Sequence, residues 1–326
     1  MSKLKITFIS FSILILVFLS FSFKGNSEID FLPLLSEYEL FEGKMSDLKP
    51  AKGTETYELT SHLFVDYSEK DRLIRIPPGT KIIDNGNGLP AFPDGTILVK
   101  TFFYFKDKSK PALGKNIIET RLMIKSNSIW NYGTYIWNDK QTDAVLSVEE
   151  KDVRVPYKNG DEDNIFFHIP SNEQCAECHK SKNIDIPIGP KLRNMNFNVF
   201  RNGEKINQLE YFQEIGWLEK VNVASITAMP NWEDTNLPIE TRVRAYMDMN
   251  CAHCHNPKGS AFYKKKVNFE YETPFNATGI QLKKAEILKR IFSDDEERRM
   301  PNLGTSIHHV EGNNMLKQYL ISLPDE

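Results

Sequence analysis

Two pentapeptides decide how this chain is read: Cys175-Ala176-Glu177-Cys178-His179 and Cys251-Ala252-His253-Cys254-His255. They hold all four cysteines of the 326-residue chain, so no thiol is left for a long-range disulfide framework. Every cysteine is explained by one chemistry or by none. A zinc site built from two Cys-x-x-Cys pairs usually spaces them by roughly 15 to 20 residues, whereas 72 residues lie between Cys178 and Cys251. A thioredoxin-like redox pair wants a strand before it and a helix opening at the first cysteine. Only residues 164–169 offer anything of that kind.

The His after each pair points elsewhere. Covalent attachment of haem needs two thiols that can add to two vinyl groups at the porphyrin edge, and an imidazole beside the second thiol that reaches the iron. Only seven histidines occur in the chain, yet both pairs are followed by one. The pattern predicts two covalently bound c-type haems, with Cys175, Cys178, Cys251 and Cys254 as thioether donors and His179 and His255 as proximal ligands.

The ligand opposite each His separates a carrier from a catalyst, because Met raises the potential and keeps the iron six-coordinate while an open position admits exogenous ligands. For the second motif the candidate is Met300, in Arg299-Met300-Pro301-Asn302, 45 residues after His255. A buried core Met is the plain alternative. For the first motif, Met229-Pro230 lies 50 residues after His179 and is the favoured candidate, with Met195, His168 and an open position as rivals. His253 reads as a solvated side chain at the haem edge and His62 as a strand or turn residue. His308 and His309 either compete with Met300 or flank the last helix, and Arg298 and Arg299 are either propionate partners or a solvated pair.

Residues 238–322 resemble a class I cytochrome c: a helix before Cys-x-x-Cys-His, a Met-Pro loop, then a closing helix that packs on the first. Ile188-Gly189-Pro190-Lys191-Leu192 is similar to the Gly-Pro-x-Leu stretch of that class, which implies that the Pro190 carbonyl accepts a hydrogen bond from His179. A strand rather than a helix precedes Cys175, which departs from the class.

Upstream, residues near 30 to 170 read as strands: His62 to Tyr67, Leu73 to Ile76, Gly95 to Phe105, Ile117 to Lys125, Ile129 to Trp137 and Asn164 to Ile169. Turn signals such as Pro77-Pro78-Gly79 and Pro93-Asp94-Gly95 bound them. Short strands in this number suggest an antiparallel sandwich or barrel-like domain. Downstream, apolar residues at helical spacing predict helices over Ile206 to Leu218, Pro238 to Met249, Leu282 to Phe292 and Asn313 to Ser322. The expected fold class is α+β and multidomain: a β-rich domain over 30–170, then a mostly α dihaem region divided into modules 171–237 and 238–326.

Lys3 and Lys5 ahead of an apolar run from Ile6 to Phe23 read as an export signal or N-terminal anchor over residues 1–25. That places the chain in the periplasm or extracytoplasmic envelope, touching a membrane only through that segment. Net charge is −3 with Lys and Arg scattered among acids, which argues against nucleic acid as a partner. Over nearly all of the mature chain, Tyr57-Glu58-Leu59, Leu63-Phe64-Val65-Asp66-Tyr67, Ile76-Pro77-Pro78-Gly79, Phe92-Pro93-Asp94-Gly95, Glu119-Thr120-Arg121-Leu122 and Trp137-Asn138-Asp139, with the haem motifs, resemble a family of exported bacterial dihaem c-type cytochromes. That resemblance implies two haems and no assigned reaction. The expected function is single-electron transfer between redox proteins of the cell envelope. Two alternatives stand beside it. One is a haem enzyme of dihaem peroxidase type with one open haem. The other is a β domain that binds a substrate or partner through Trp130, Tyr132, Tyr135 and Trp137 while the haems relay electrons.

Overall fold

The computed structural model describes residues 29–325 apart from 87, 160, 161, 183 and 262–265. The export segment expected over 1–25 lies outside the described residues. Among those described, no helix is long and apolar enough to cross a membrane.

Strands β1 (Glu55–Thr56), β2 (Glu69–Arg75), β3 (Ile97–Phe105), β4 (Lys115–Ser126), β5 (Ile129–Trp137) and β6 (Ala144–Ser147) form one antiparallel sheet in chain order. Their β-branched and aromatic residues suit a pleated surface covered on both sides. Asn127 and Ser128 alone join β4 to β5, both with positive φ, the geometry that matches strand twist in a two-residue hairpin.

The expected sandwich or barrel is corrected to an open sheet whose faces are covered by different material. One face packs Leu73, Val99, Leu122 and Tyr135 against Leu35, Leu40 and Leu48 of the N-terminal segment. On the other face, Phe102, Tyr104 and Ile118 meet Val155, Ile165 and Phe167 of a separate hairpin, β7 (Lys151–Asn159) with β8 (Glu162–Ile169). A bulge at Ile118 in the β3–β4 ladder shifts the alternation of β4, and Ile117 and Ile118 enter the two cores on opposite faces. Residues 62–67, expected as a strand, are irregular.

Helices α1 (Asn172–His179), α2 (Leu192–Met195), α3 (Gln208–Glu214), α4 (Ile239–Asn250), α5 (Phe275–Thr278), α6 (Ile280–Ile291) and α7 (Val310–Ser322) follow. Val243, Tyr246 and Met247 of α4 share a core with Ile280 and Ile291 of α6 and with Leu316 and Leu320 of α7. The remaining core ignores the expected boundary at residue 170. Ile74, Leu98, Met123 and Trp130 of the sheet pack with Leu192, Leu209, Phe212 and Met249 downstream. The sheet is thus one wall of the helical region.

Polar ties pin that junction. Asn194 is fully buried. Its Oδ1 accepts from Ser61 N–H at 2.9 Å, and its Nδ2 donates to the carbonyls of Ser61 at 3.1 Å and Gly189 at 3.2 Å. Replacing Asn194 by Ala strands three buried backbone groups and should cost roughly 3 kcal/mol in urea unfolding. A loss under about 1 kcal/mol would show that the junction does not depend on it.

Candidate functional site

The first motif sits on α1. Ser171 caps that helix: its hydroxyl accepts from Gln174 N–H at 3.4 Å while Gln174 Oε1 accepts from Ser171 N–H at 3.0 Å, a reciprocal box. This places Cys175, Cys178 and His179 on one short helix that β8 delivers. His179 Nδ1 lies 2.8 Å from the Ile186 carbonyl. That bond fixes Nδ1 as the donor and leaves Nε2 as the ligand nitrogen. It also corrects the expected acceptor, since Ile186 takes the place foreseen for Pro190. Burial pushes His179 down to about 3, so the ring is neutral, the form that binds metal. Gly189, at φ +107°, passes so close to Leu59 that a Cβ would approach Leu59 Cδ1 to 2.8 Å.

The second motif follows the C-terminus of α4 in a run of turns. Asn250, the last residue of α4, accepts from Phe64 N–H at 2.7 Å and donates to the His62 carbonyl at 3.3 Å, which fastens the 62–64 loop beside Cys251. The His255 carbonyl accepts from Phe269 N–H at 2.9 Å, and the two rings lie 5.3 Å apart. Gly259 is required because a Cβ there would overlap the Cys254 carbonyl.

The fold brings the two motifs into contact. Ligand atoms of Cys178, His253 and Cys254 all lie within 4.8 Å of one another. The contact between the Cys178 and Cys254 thiols, together with burial, raises Cys178, while the same contact and the neighbouring His253 lower Cys254. Burial raises Cys175, and it raises Cys251 to about 12. His253, expected at a solvated edge, lies between the motifs instead.

A cavity opens on each side of this contact. The second is about 540 Å³ and is lined by Cys251, Cys254, His255 and Met300, with Phe269 and Leu316 among its apolar walls. The first is about 120 Å³ and is lined by Cys175, Cys178, His179 and Tyr132, with Lys100 and Arg121 from the sheet. Cys178, His253, Pro301 and Leu303 line both. Cofactor-sized pockets run from roughly 300 to 1,000 Å³. By donor chemistry each motif offers what a c-type haem needs, two thiols and an imidazole. By volume the second cavity also takes a tetrapyrrole, while the first does so only if some of its lining moves apart.

Met300 reaches the second cavity at the start of a loop held from the β-rich side. Buried Asp66 accepts from Ser306 N–H at 2.8 Å, Ser306 Oγ at 3.0 Å and Ile307 N–H at 3.2 Å. His309 does not line that cavity. It stacks on Phe64 at 4.1 Å and pairs with the Tyr246 hydroxyl at 2.9 Å. Arg298 pairs with Asp295 and Arg299 donates to the Thr305 carbonyl, whereas the basic residues on the cavity wall are Lys283 and Arg290.

The favoured sixth ligand of the first motif is placed elsewhere. Met229 is buried in the core with Trp232 and Tyr246 and lines neither cavity, and Met195 packs in the sheet junction. His168 does line the first cavity, but Asp152 engages its Nδ1 at 2.8 Å and Gln174 its Nε2 at 3.1 Å. Met123 on β4, not singled out in the sequence, lines it too. Its helical-region partners come from residues far along the chain, so no local pattern marks it. Of the four β-domain aromatics, Trp130, Tyr135 and Trp137 are core, while Tyr132 lies 5.4 Å from the His179 ring.

No family model matches the chain, and no curated protein or solved structure matches it either.

Proposed function

We propose that the chain is an exported dihaem c-type cytochrome that transfers single electrons between redox proteins of the cell envelope. One haem would be held by Cys175, Cys178 and His179, and the other by Cys251, Cys254, His255 and Met300. The observation that carries this reading is the convergence of two motifs whose first cysteines stand 76 residues apart, thiol against thiol at Cys178 and Cys254, with a cavity beside each.

A haem so held supplies a one-electron iron couple. The chain's own residues do the rest. The Ile186 carbonyl fixes the tautomer of His179, and buried neutral imidazole is ready to ligate. The Asp66 bonds steady the loop that presents Met300. Contact between the second cysteine of each motif sets the two attachment edges side by side, which suits exchange between two centres more than two independent ones.

Two other readings each rest on one observation. The absence of Met229 from the first cavity, with both nitrogens of His168 engaged, suits a haem enzyme with an open first iron. The grouping of Cys178, His253 and Cys254 suits a thiolate and imidazole metal site. Optical spectra of the oxidised and reduced protein, with and without carbon monoxide, separate them. A carrier gives low-spin spectra that carbon monoxide leaves unchanged. Carbon monoxide binding at one of two haems favours the enzyme, and stoichiometric zinc without any haem absorption favours the metal site.

A further inference from the structure

Just past the two motifs the chain is fastened to itself. Lys182 N–H donates to the Lys258 carbonyl at 2.7 Å, and each of these residues stands four positions after the second cysteine of its motif. The thiols of those cysteines, Cys178 and Cys254, are in contact, and their sulfurs lie within 4.8 Å of each other and of a His253 nitrogen. Cys175 and Cys251 stand outside that group, and each lines only the cavity of its own motif. Cys175 is buried, whereas Cys178 and Cys254 are half-buried and both line the larger cavity, which gives a dissolved reagent access to them. Two thiols held together by a fold react with each other at a high effective concentration.

We infer that, before any haem is attached, Cys178 and Cys254 join in a disulfide that ties the two motifs to each other, in preference to a bond within either motif. The inference deepens the dihaem reading and rests on it for its consequence: one bond withholds a thioether donor from both haems at once, and it must be reduced before either attachment is completed. In forming the bond, the pair gives up two protons and two electrons to a dissolved disulfide. One sulfur, as thiolate, attacks that disulfide and releases one thiol; the other then displaces the second thiol from the mixed disulfide. An oxidising compartment outside the cytoplasm supplies such disulfides.

The test uses the full chain made without c-type maturation, so that it carries no haem, incubated with oxidised glutathione and mapped by peptide mass under non-reducing conditions. The peptide with Cys175 and Cys178 should be joined to that with Cys251 and Cys254, with Cys175 and Cys251 still free to be alkylated. Bonds within each motif, Cys175 to Cys178 and Cys251 to Cys254, or four thiols left free, overturn the inference. In the chain carrying Cys175→Ser and Cys251→Ser, only the bond between motifs can form, and the glutathione ratio at half-oxidation measures how strongly the fold favours it. That ratio should shift by at least about tenfold toward reducing conditions relative to the same chain in concentrated urea. Equal ratios with and without urea also overturn the inference, because the fold would then not hold the two thiols together. Haem missing from protein made with the maturation machinery removes the dihaem reading and its gating consequence, while the peptide map still decides the bond.

Discussion

On the dihaem reading, changing Met300 to Ala should open the second haem: the reduced protein gains carbon monoxide binding, and the potential of that haem falls. Met300 shares a cavity with Cys251, Cys254 and His255, and the structure offers Met247 as the other thioether on that wall. Met247 is a core residue of α4 at 1% exposure, packed with Val243 and Tyr246, so it is not free to take over. Axial ligands command a range of roughly 0.8 V, and loss of Met should forfeit on the order of 0.2 V of it. Met300→His should keep the iron six-coordinate and still lower the potential. If Met300→Ala leaves both the spectrum and the potential unchanged, Met300 is a lining residue and not a ligand.

The second large effect concerns the helix contact that closes this module. Gly312 of α7 lies against Tyr246 of α4 so closely that a Cβ would stand 2.5 Å from the Tyr246 Cζ and hydroxyl oxygen. The ring cannot retreat freely, since Trp232 packs edge-on at 5.2 Å and His309 holds the hydroxyl at 2.9 Å. Overpacking of this kind costs about 1–3 kcal/mol and sometimes more, against a gain of about 1 kcal/mol for replacing Gly in a helix. Gly312→Ala should therefore lose about 2 kcal/mol in urea unfolding. Gly312→Val, with two further methyls and a stiffer side chain, should lose at least about 3 kcal/mol and prevent haem retention in the native environment of the second motif. A Val variant as stable as the parent would mean that α7 does not pack on α4 here.

Local pattern was the readable part of the fold. Strands β3, β4 and β5 fall within two residues of their expected spans, because their alternation and flanking turns are local facts. Helices Ile239–Asn250, Ile280–Ile291 and Val310–Ser322 follow their apolar spacing in the same way. Residues 62–67 misled: Leu63 and Val65 alternate as in a strand, but side-chain amides of Asn194 and Asn250 take the backbone groups of Ser61, His62 and Phe64 that a ladder would have used. The helix over the first motif was not expected, although Ser171 and Gln174 stand at capping-box spacing and could have signalled it.

Long-range placement was not readable. Met229 matched Met300 in its distance from a motif, yet distance along the chain carries no direction, and Met229 turns into the core beside Trp232. The meeting of Cys178 with Cys254 depends on ties such as Lys191 to Asp248 at 2.8 Å and Asn250 to the 62–64 loop, each joining residues far apart in sequence. Arg72, Lys100 and Arg121 likewise become cross-strand neighbours on β2, β3 and β4 only in register, and each is unremarkable singly.

The most direct measurement is the mass of the intact protein, made with c-type maturation machinery, followed by the masses of its two motif peptides. The dihaem reading requires two covalent haems per chain, one on the peptide with Cys175 and Cys178 and one on that with Cys251 and Cys254. A chain of unmodified mass, with all four thiols free or Cys178 joined to Cys254, would contradict it.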